Sequence, residues 1–151
     1  MKKSLIVSFS ILCLGSAMTY AAEQHYSNAA IGKPGVLENV TRTVEIEAYE
    51  NRFSPSEITV RQGDTVRFIV RNTGEKKHEM MIDTMQHLRE HAKMMRLHAH
   101  MEHNEPNQVT LAPGEQKELI WQFTHAGVVD FACPMPGHFK GMRGKIIVEE
   151  K

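Results

Sequence analysis

Cysteine is nearly absent from the 151 residues: Cys13 lies in an apolar leading run, and Cys133 is the only other. Loss of the leading run would leave one thiol, which excludes a disulfide framework. Net charge is also missing, with 18 Lys and Arg against 18 Asp and Glu, so no basic stripe supports nucleic-acid binding. Aromatic residues make up 7% of the chain, with a single tryptophan. No apolar run approaches the about 20 residues that a membrane-spanning helix needs.

What is present first is a secretory signal. Met1-Lys2-Lys3 precedes the apolar run Leu5 to Leu14, and Gly15-Ser16-Ala17 and Ala21-Ala22 follow it. Residues 1–21 are expected to be cleaved, because Thr19 suits the position three before the cut better than Tyr20 does. The mature chain is then periplasmic, free of the membrane and slightly acidic. Its about 130 residues suffice for one domain. Cleavage one residue later would expose Glu23-Gln24-His25, whose amine, amide nitrogens and imidazole could hold Cu(II) in a square plane.

The segment 22–42 contains Gly32, Pro34 and Gly35 and lacks helical or strand periodicity, so it is expected to be a flexible arm. From residue 43 to 151 the pattern is that of one domain. Short β-type runs (Val44–Ala48, Ile58–Val60, Thr65–Asn72, Val109–Leu111, Lys117–Phe123, Val128–Ala132 and Gly144–Glu149) are separated by turns such as Gln62-Gly63-Asp64 and Pro113-Gly114. This predicts an all-β Greek-key β-sandwich of seven or eight strands, with Trp121 and Phe131 in its core.

The chemistry is concentrated in Cys133-Pro134-Met135-Pro136-Gly137-His138-Phe139-Lys140-Gly141-Met142. Thiolate, imidazole and thioether lie within ten residues, and a trigonal His₂Cys site with a long axial Met is the geometry of type 1 copper. His78, after the predicted strand Thr65–Asn72 and a polar turn, supplies the missing imidazole. Taken singly, a buried thiol, a turn histidine and a gap-filling methionine are ordinary. The four together favour a metal, and a metal would also protect a lone exported thiol.

The Cys-x₄-His-x₃-Met loop with a histidine some fifty residues upstream resembles the copper loop of azurin and, more widely, of the azurin- and plastocyanin-like cupredoxins. The likeness covers roughly Val44 to Glu149. Many such proteins carry one more residue between the loop His and Met. Through His78-Glu79-Met80-Met81 and the His/Met-rich segment beyond, the chain is most similar to the periplasmic copper-tolerance type called CopI. The resemblance implies one type 1 copper held by His78, Cys133, His138 and Met142. His138 lies among Pro134, Met135, Pro136, Phe139 and Met142, and such a small apolar patch around a ligand edge suits brief docking of a transient redox partner. A monomer is expected.

Between His78 and Val109 the strand rhythm breaks. Asp83-Thr84-Met85-Gln86 reads as a capping box with an acidic cap, and a helical insertion is expected at about 84–99. Met85, Leu88, Ala92, Met95 and Ala99 form a packing stripe. Beside it His87, His91, Met94, His98 and Met101 form a row of possible copper ligands, continued by His100 and His103. A solvated face enriched in histidine is the alternative for each residue alone.

Three functions compete: a copper-tolerance protein with electron-transfer and Cu(I)-oxidising capacity, a dedicated electron shuttle to a respiratory or nitrogen-oxide reductase, and a copper oxidase or reductase. The last requires a second domain or a bridging copper, so no enzyme is expected.

Overall fold

The computed structural model describes residues 30–98 and 104–151. Two five-stranded sheets face each other. One has the order β1 (Lys33–Pro34), β8 (Gln116–Gln122), β5 (Thr65–Asn72), β2 (Arg42–Tyr49) and β3 (Arg52–Ser54). The other runs β4 (Glu57–Arg61), β10 (Arg143–Glu149), β9 (Gly127–Ala132), β6 (His78–Asp83) and β7 (Gln108–Leu111). β2 pairs with β5 and β4 with β10 in parallel, and the remaining ladders are antiparallel.

Alternation explains the inner faces. β2 buries Val44, Ile46 and Ala48 and exposes the residues between, and β4 does the same with Ile58 and Val60. Trp121, Phe68, Phe123 and Phe131 are fully buried in the shared core, each contributing about 1.5–3 kcal/mol by burial. The β-sandwich is as predicted, but with ten strands. Three strands have no counterpart among the predicted runs: β1 and β3 span two and three residues, too short for alternation to register, and β6 is buried at all six positions and so shows none.

The predicted flexible arm is corrected from Ile31 onward. Ile31 is buried, its carbonyl accepts a hydrogen bond from Trp121 Nε1 at 2.6 Å, and the Gly35 N–H donates to Ile120 O at 3.0 Å. Gly32 sits so close to the Gln122 carbonyl that a Cβ would lie 2.1 Å from it. Backbone edge pairing, which leaves no trace in side-chain periodicity, holds this stretch.

All six residues of β6 are buried because helix α1 (Met85–Leu97) covers its outer face. The cap is Thr84, whose side chain accepts from the His87 N–H at 3.3 Å, and not Asp83. Asp83 instead accepts from the Thr84 N–H at 2.7 Å and meets His87 Nδ1 at 2.7 Å. The helix ends at Leu97 with His98 as its C-cap. Its buried face is Leu88, His91, Ala92 and Met95, with Leu88 packed among Met81, Ala132 and Phe139. No helix among the described residues is long and apolar enough to cross a membrane.

Candidate metal centre

Three strand ends meet at one end of the sandwich. His78 opens β6, Cys133 follows the last residue of β9, and Met142 precedes β10. The loop from Cys133 to Met142 is closed at its base by the Cys133 N–H, which donates to Met142 O at 3.0 Å. His138 is locked inside it. Its N–H donates to Met135 O at 3.0 Å, and its carbonyl accepts from the Gly141 and Met142 amides at 3.1 and 3.0 Å. Gly137, at φ 84°, makes the left-handed turn that aims His138 inward, a conformation that glycine adopts without strain.

The upstream histidine is braced separately. Buried Asn72 donates from Nδ2 to Lys76 O at 2.7 Å and to Leu111 O at 3.2 Å, while its Oδ1 accepts from the Gly74 N–H at 3.0 Å. This fixes the turn between β5 and β6. The sequence offered no sign of this brace beyond the presence of an Asn at a strand end.

The result is a convergence of donors. His78 Nδ1 lies 3.3 Å from His138 Nδ1, which lies 3.5 Å from Cys133 Sγ, and one donor atom from each residue falls within 4.8 Å of the others. For a first-row ion bound about 2.0 Å from nitrogen and about 2.3 Å from sulfur, trigonal donors sit about 3.5 Å apart. The donor set therefore fits a soft, three-coordinate ion, and two imidazoles with a thiolate are the equatorial set of type 1 copper. Met142 is fully buried in the same apolar cluster as Cys133.

Burial governs the electrostatics. His78 is held below the usual histidine range by desolvation and then by the neighbouring His138. His138 is lowered by desolvation and then by Lys76. The Cys133 thiol is pushed up to about 12 by burial, against the pull of backbone N–H groups of Glu79 and Met135. The Glu79 N–H donates to Cys133 Sγ at 3.4 Å. Glu79, raised to about 7 by its own burial, entered the sequence reading only as part of the His78–Met81 run. His138 is the most exposed of the three donors at 9%.

Residues 10–148 match the family described as the cupredoxin-like domain. This chain belongs to the cupredoxin family. It is 43% identical over 129 residues to the copper-resistant cuproprotein CopI of Rubrivivax gelatinosus, an alignment covering 84% of this cupredoxin and 78% of the relative. CopI of Vibrio cholerae is 40% identical over 112 residues, with 74% of this chain and 66% of the relative covered. Among solved structures, the reduced auracyanin of Roseiflexus castenholzii superposes with a TM-score of 0.61 at 22% identity, covering 72% of this chain and 98% of auracyanin. An azurin of Methylomonas sp. strain J gives 0.58 at 18% identity, covering 74% and 100%. These two likenesses concern the fold.

Among its described residues, the helix row of this cupredoxin does not assemble as the sequence suggested. His91 is turned into the protein with Nε2 3.9 Å from Glu79 Oε1, so it leaves the row. The cause is helical phase: Leu88, His91, Ala92 and Met95 fall at i, i+3, i+4 and i+7, and together they face the sandwich. His87, Met94 and His98 are exposed, and His87 Nδ1 is engaged by Asp83. His25, Ala99, His100, Met101 and His103 lie outside the described residues. In the loop patch, Pro134 and Met142 are buried, leaving Met135, Pro136 and Phe139 to rim His138.

Proposed function

We propose that this cupredoxin is a periplasmic copper-tolerance protein in which His78, Cys133, His138 and Met142 would hold one type 1 copper. The observation that carries this reading is the convergence of the three donors on one buried point. The copper-resistant CopI relatives support the biological role. Bound copper would supply a one-electron Cu(I)/Cu(II) couple. The chain's own part is to keep the donors in place. Asn72 fixes the approach to His78, the Cys133–Met142 closure fixes the loop, and burial excludes competing water.

His138 provides the path outward, because its edge comes closest to solvent among Met135, Pro136 and Phe139. A transient redox partner docks there, which gives the protein electron-transfer and Cu(I)-oxidising capacity without enzymatic turnover of a substrate. Copper-loaded, desalted protein carries one tightly held ion per chain and an intense visible thiolate-to-copper band. Protein without that band overturns the reading. The same exposed edge suits a dedicated electron shuttle, and a deletion strain separates the two roles. Copper sensitivity with intact respiration supports tolerance, and the reverse supports the shuttle.

A further inference from the structure

β4 lies at the edge of its sheet, and its parallel pairing with β10 shows which of its backbone groups are left over. The Lys145 N–H donates to Ser56 O at 2.9 Å, and at the other end the Gln62 N–H donates to Glu149 O at 2.8 Å. The ladder therefore uses residues 56, 58, 60 and 62, and the N–H and C=O groups of Glu57, Thr59 and Arg61 point away from the sheet. Part of this row is covered. Arg42 Nη1 reaches across from β2 of the facing sheet and donates to Thr59 O. Asp64 closes on Arg61 from both sides, its Oδ2 accepting from the Arg61 N–H at 2.9 Å and its own N–H donating to Arg61 O at 3.0 Å. An open groove of about 690 Å³ runs beside the strand, lined by all five β4 residues together with Arg42 and Val44.

The uncovered row would be self-complementary. A second β4 running antiparallel and centred on Thr59 sets Thr59 against Thr59, so that the two exchange N–H and C=O, and sets Glu57 against Arg61 of the second copy. The exposed side chains agree with that register. Lys145 Nζ lies 3.0 Å from Glu57 Oε2 on one flank, and Glu149 stands in register with Arg61 on the other. Across the joined sheets the row then reads Lys145, Glu57, Arg61, Glu149, alternating in sign, and opposite charges facing each other across strands stabilise a pairing.

We propose that β4 is a latent dimerisation edge, on which a second copy of this chain pairs antiparallel about Thr59, and that Arg42 and Asp64 keep it closed in the single chain. Unpaired strand edges invite such addition, and charged side chains laid over them are a common protection. The contact is two-fold and closes on itself, so it stops at a dimer. Copper has no part in it.

Sedimentation of the full mature chain without metal, over a concentration series, tests this. Wild type stays monomeric where Arg42→Ala, which uncovers Thr59 O in both copies, forms dimers, with association strengthened about tenfold or more. Adding Asp64→Ala to Arg42→Ala strengthens it further. Two changes made in the Arg42→Ala chain restore the monomer. Glu57→Lys sets like charges against each other across the pairing, and Thr59→Pro removes the N–H that the second copy accepts while leaving the ladder to β10 intact. Glu57→Lys serves alone if Thr59→Pro does not fold. An Arg42→Ala chain that sediments as wild type overturns the proposal, as does a dimer that persists with Glu57→Lys, because its contact then lies on another surface. A wild type that associates as strongly as Arg42→Ala overturns it too, since Arg42 then closes nothing.

Discussion

The loop after β9 and the face of α1 carry similar residues, yet among the described residues only the loop brings its side chains to one point. Between Cys133 and Met142 the chain reverses, so the Cys133 and His138 donors, five residues apart in sequence, return to one place, and His78 joins them from a neighbouring strand end. A helix does the opposite. It spreads side chains along its axis by about 1.5 Å per residue, which sets His87 and His98 about 16 Å apart. Shared donor chemistry is therefore a weak guide to a metal site, and chain reversal is a strong one.

The sharpest way to break this contrast is Cys133→Ser. Removing even an outer partner of a metal ligand costs about 10–100-fold in affinity, so loss of the thiolate itself costs more and abolishes the visible band. Copper titration followed by absorption checks it, and a variant that keeps the band contradicts the assignment. Leu88→Ala tests the other side. Leu88 is fully buried among Met81, Ala132 and Phe139, so the truncation costs about 2–5 kcal/mol in urea unfolding. A cost near zero would mean that the helix is not packed on the sandwich.

Asn72→Ala comes next. It leaves the Lys76 and Leu111 carbonyls without the Asn72 donor and lowers stability by about 1–3 kcal/mol. It also frees the turn that carries His78, so copper affinity falls with stability. A stable variant with wild-type affinity would show that the brace is dispensable.

Proton release sharpens the account of the loop. A metal takes thiolate and neutral imidazole, so bound protons must leave. With the thiol raised to about 12, metal-free Cys133 is protonated at neutral pH, while both histidines, lowered by burial, are already neutral. Copper binding near pH 7 releases about one proton per ion in weakly buffered titration. The sign for metal-free stability follows. The folded state keeps the thiol proton longer than the unfolded chain does, so this contribution is complete below the ordinary thiol range and is lost as pH rises towards about 12.

The ligand loop was legible because its spacing is local, and the strands because alternation in β2 and β4 matches their burial. Three things were hidden. The Ile31–Gly35 stretch docks through backbone groups and glycine fit, neither of which leaves a periodic pattern. His91 belongs to the buried stripe by position, since it lies three residues after Leu88. Its polarity masked that, and inside the protein its ring comes within 3.9 Å of Glu79, twelve residues away on another element. The cap was missed for a simpler reason: Asp83 and Thr84 are both capping types, and only the fold shows which one faces the first turn.

The smallest expected effect belongs to the helix face. Two histidines at i and i+4 would be its best chelating pair, because such side chains stand about 5–6 Å apart on one surface. His87 and His91 have that spacing, but His91 faces Glu79 inside the protein and His87 Nδ1 is taken by Asp83. Among the described residues of the row, what stays exposed is His87 at one end and Met94 with His98 at the other, too far apart to share an ion. Replacing His87, Met94 and His98 together with alanine therefore leaves the tightly held copper at one ion per chain after desalting. A count that falls from two to one in that variant would show that the helix gathers donors after all, and it would break the contrast between reversal and spread.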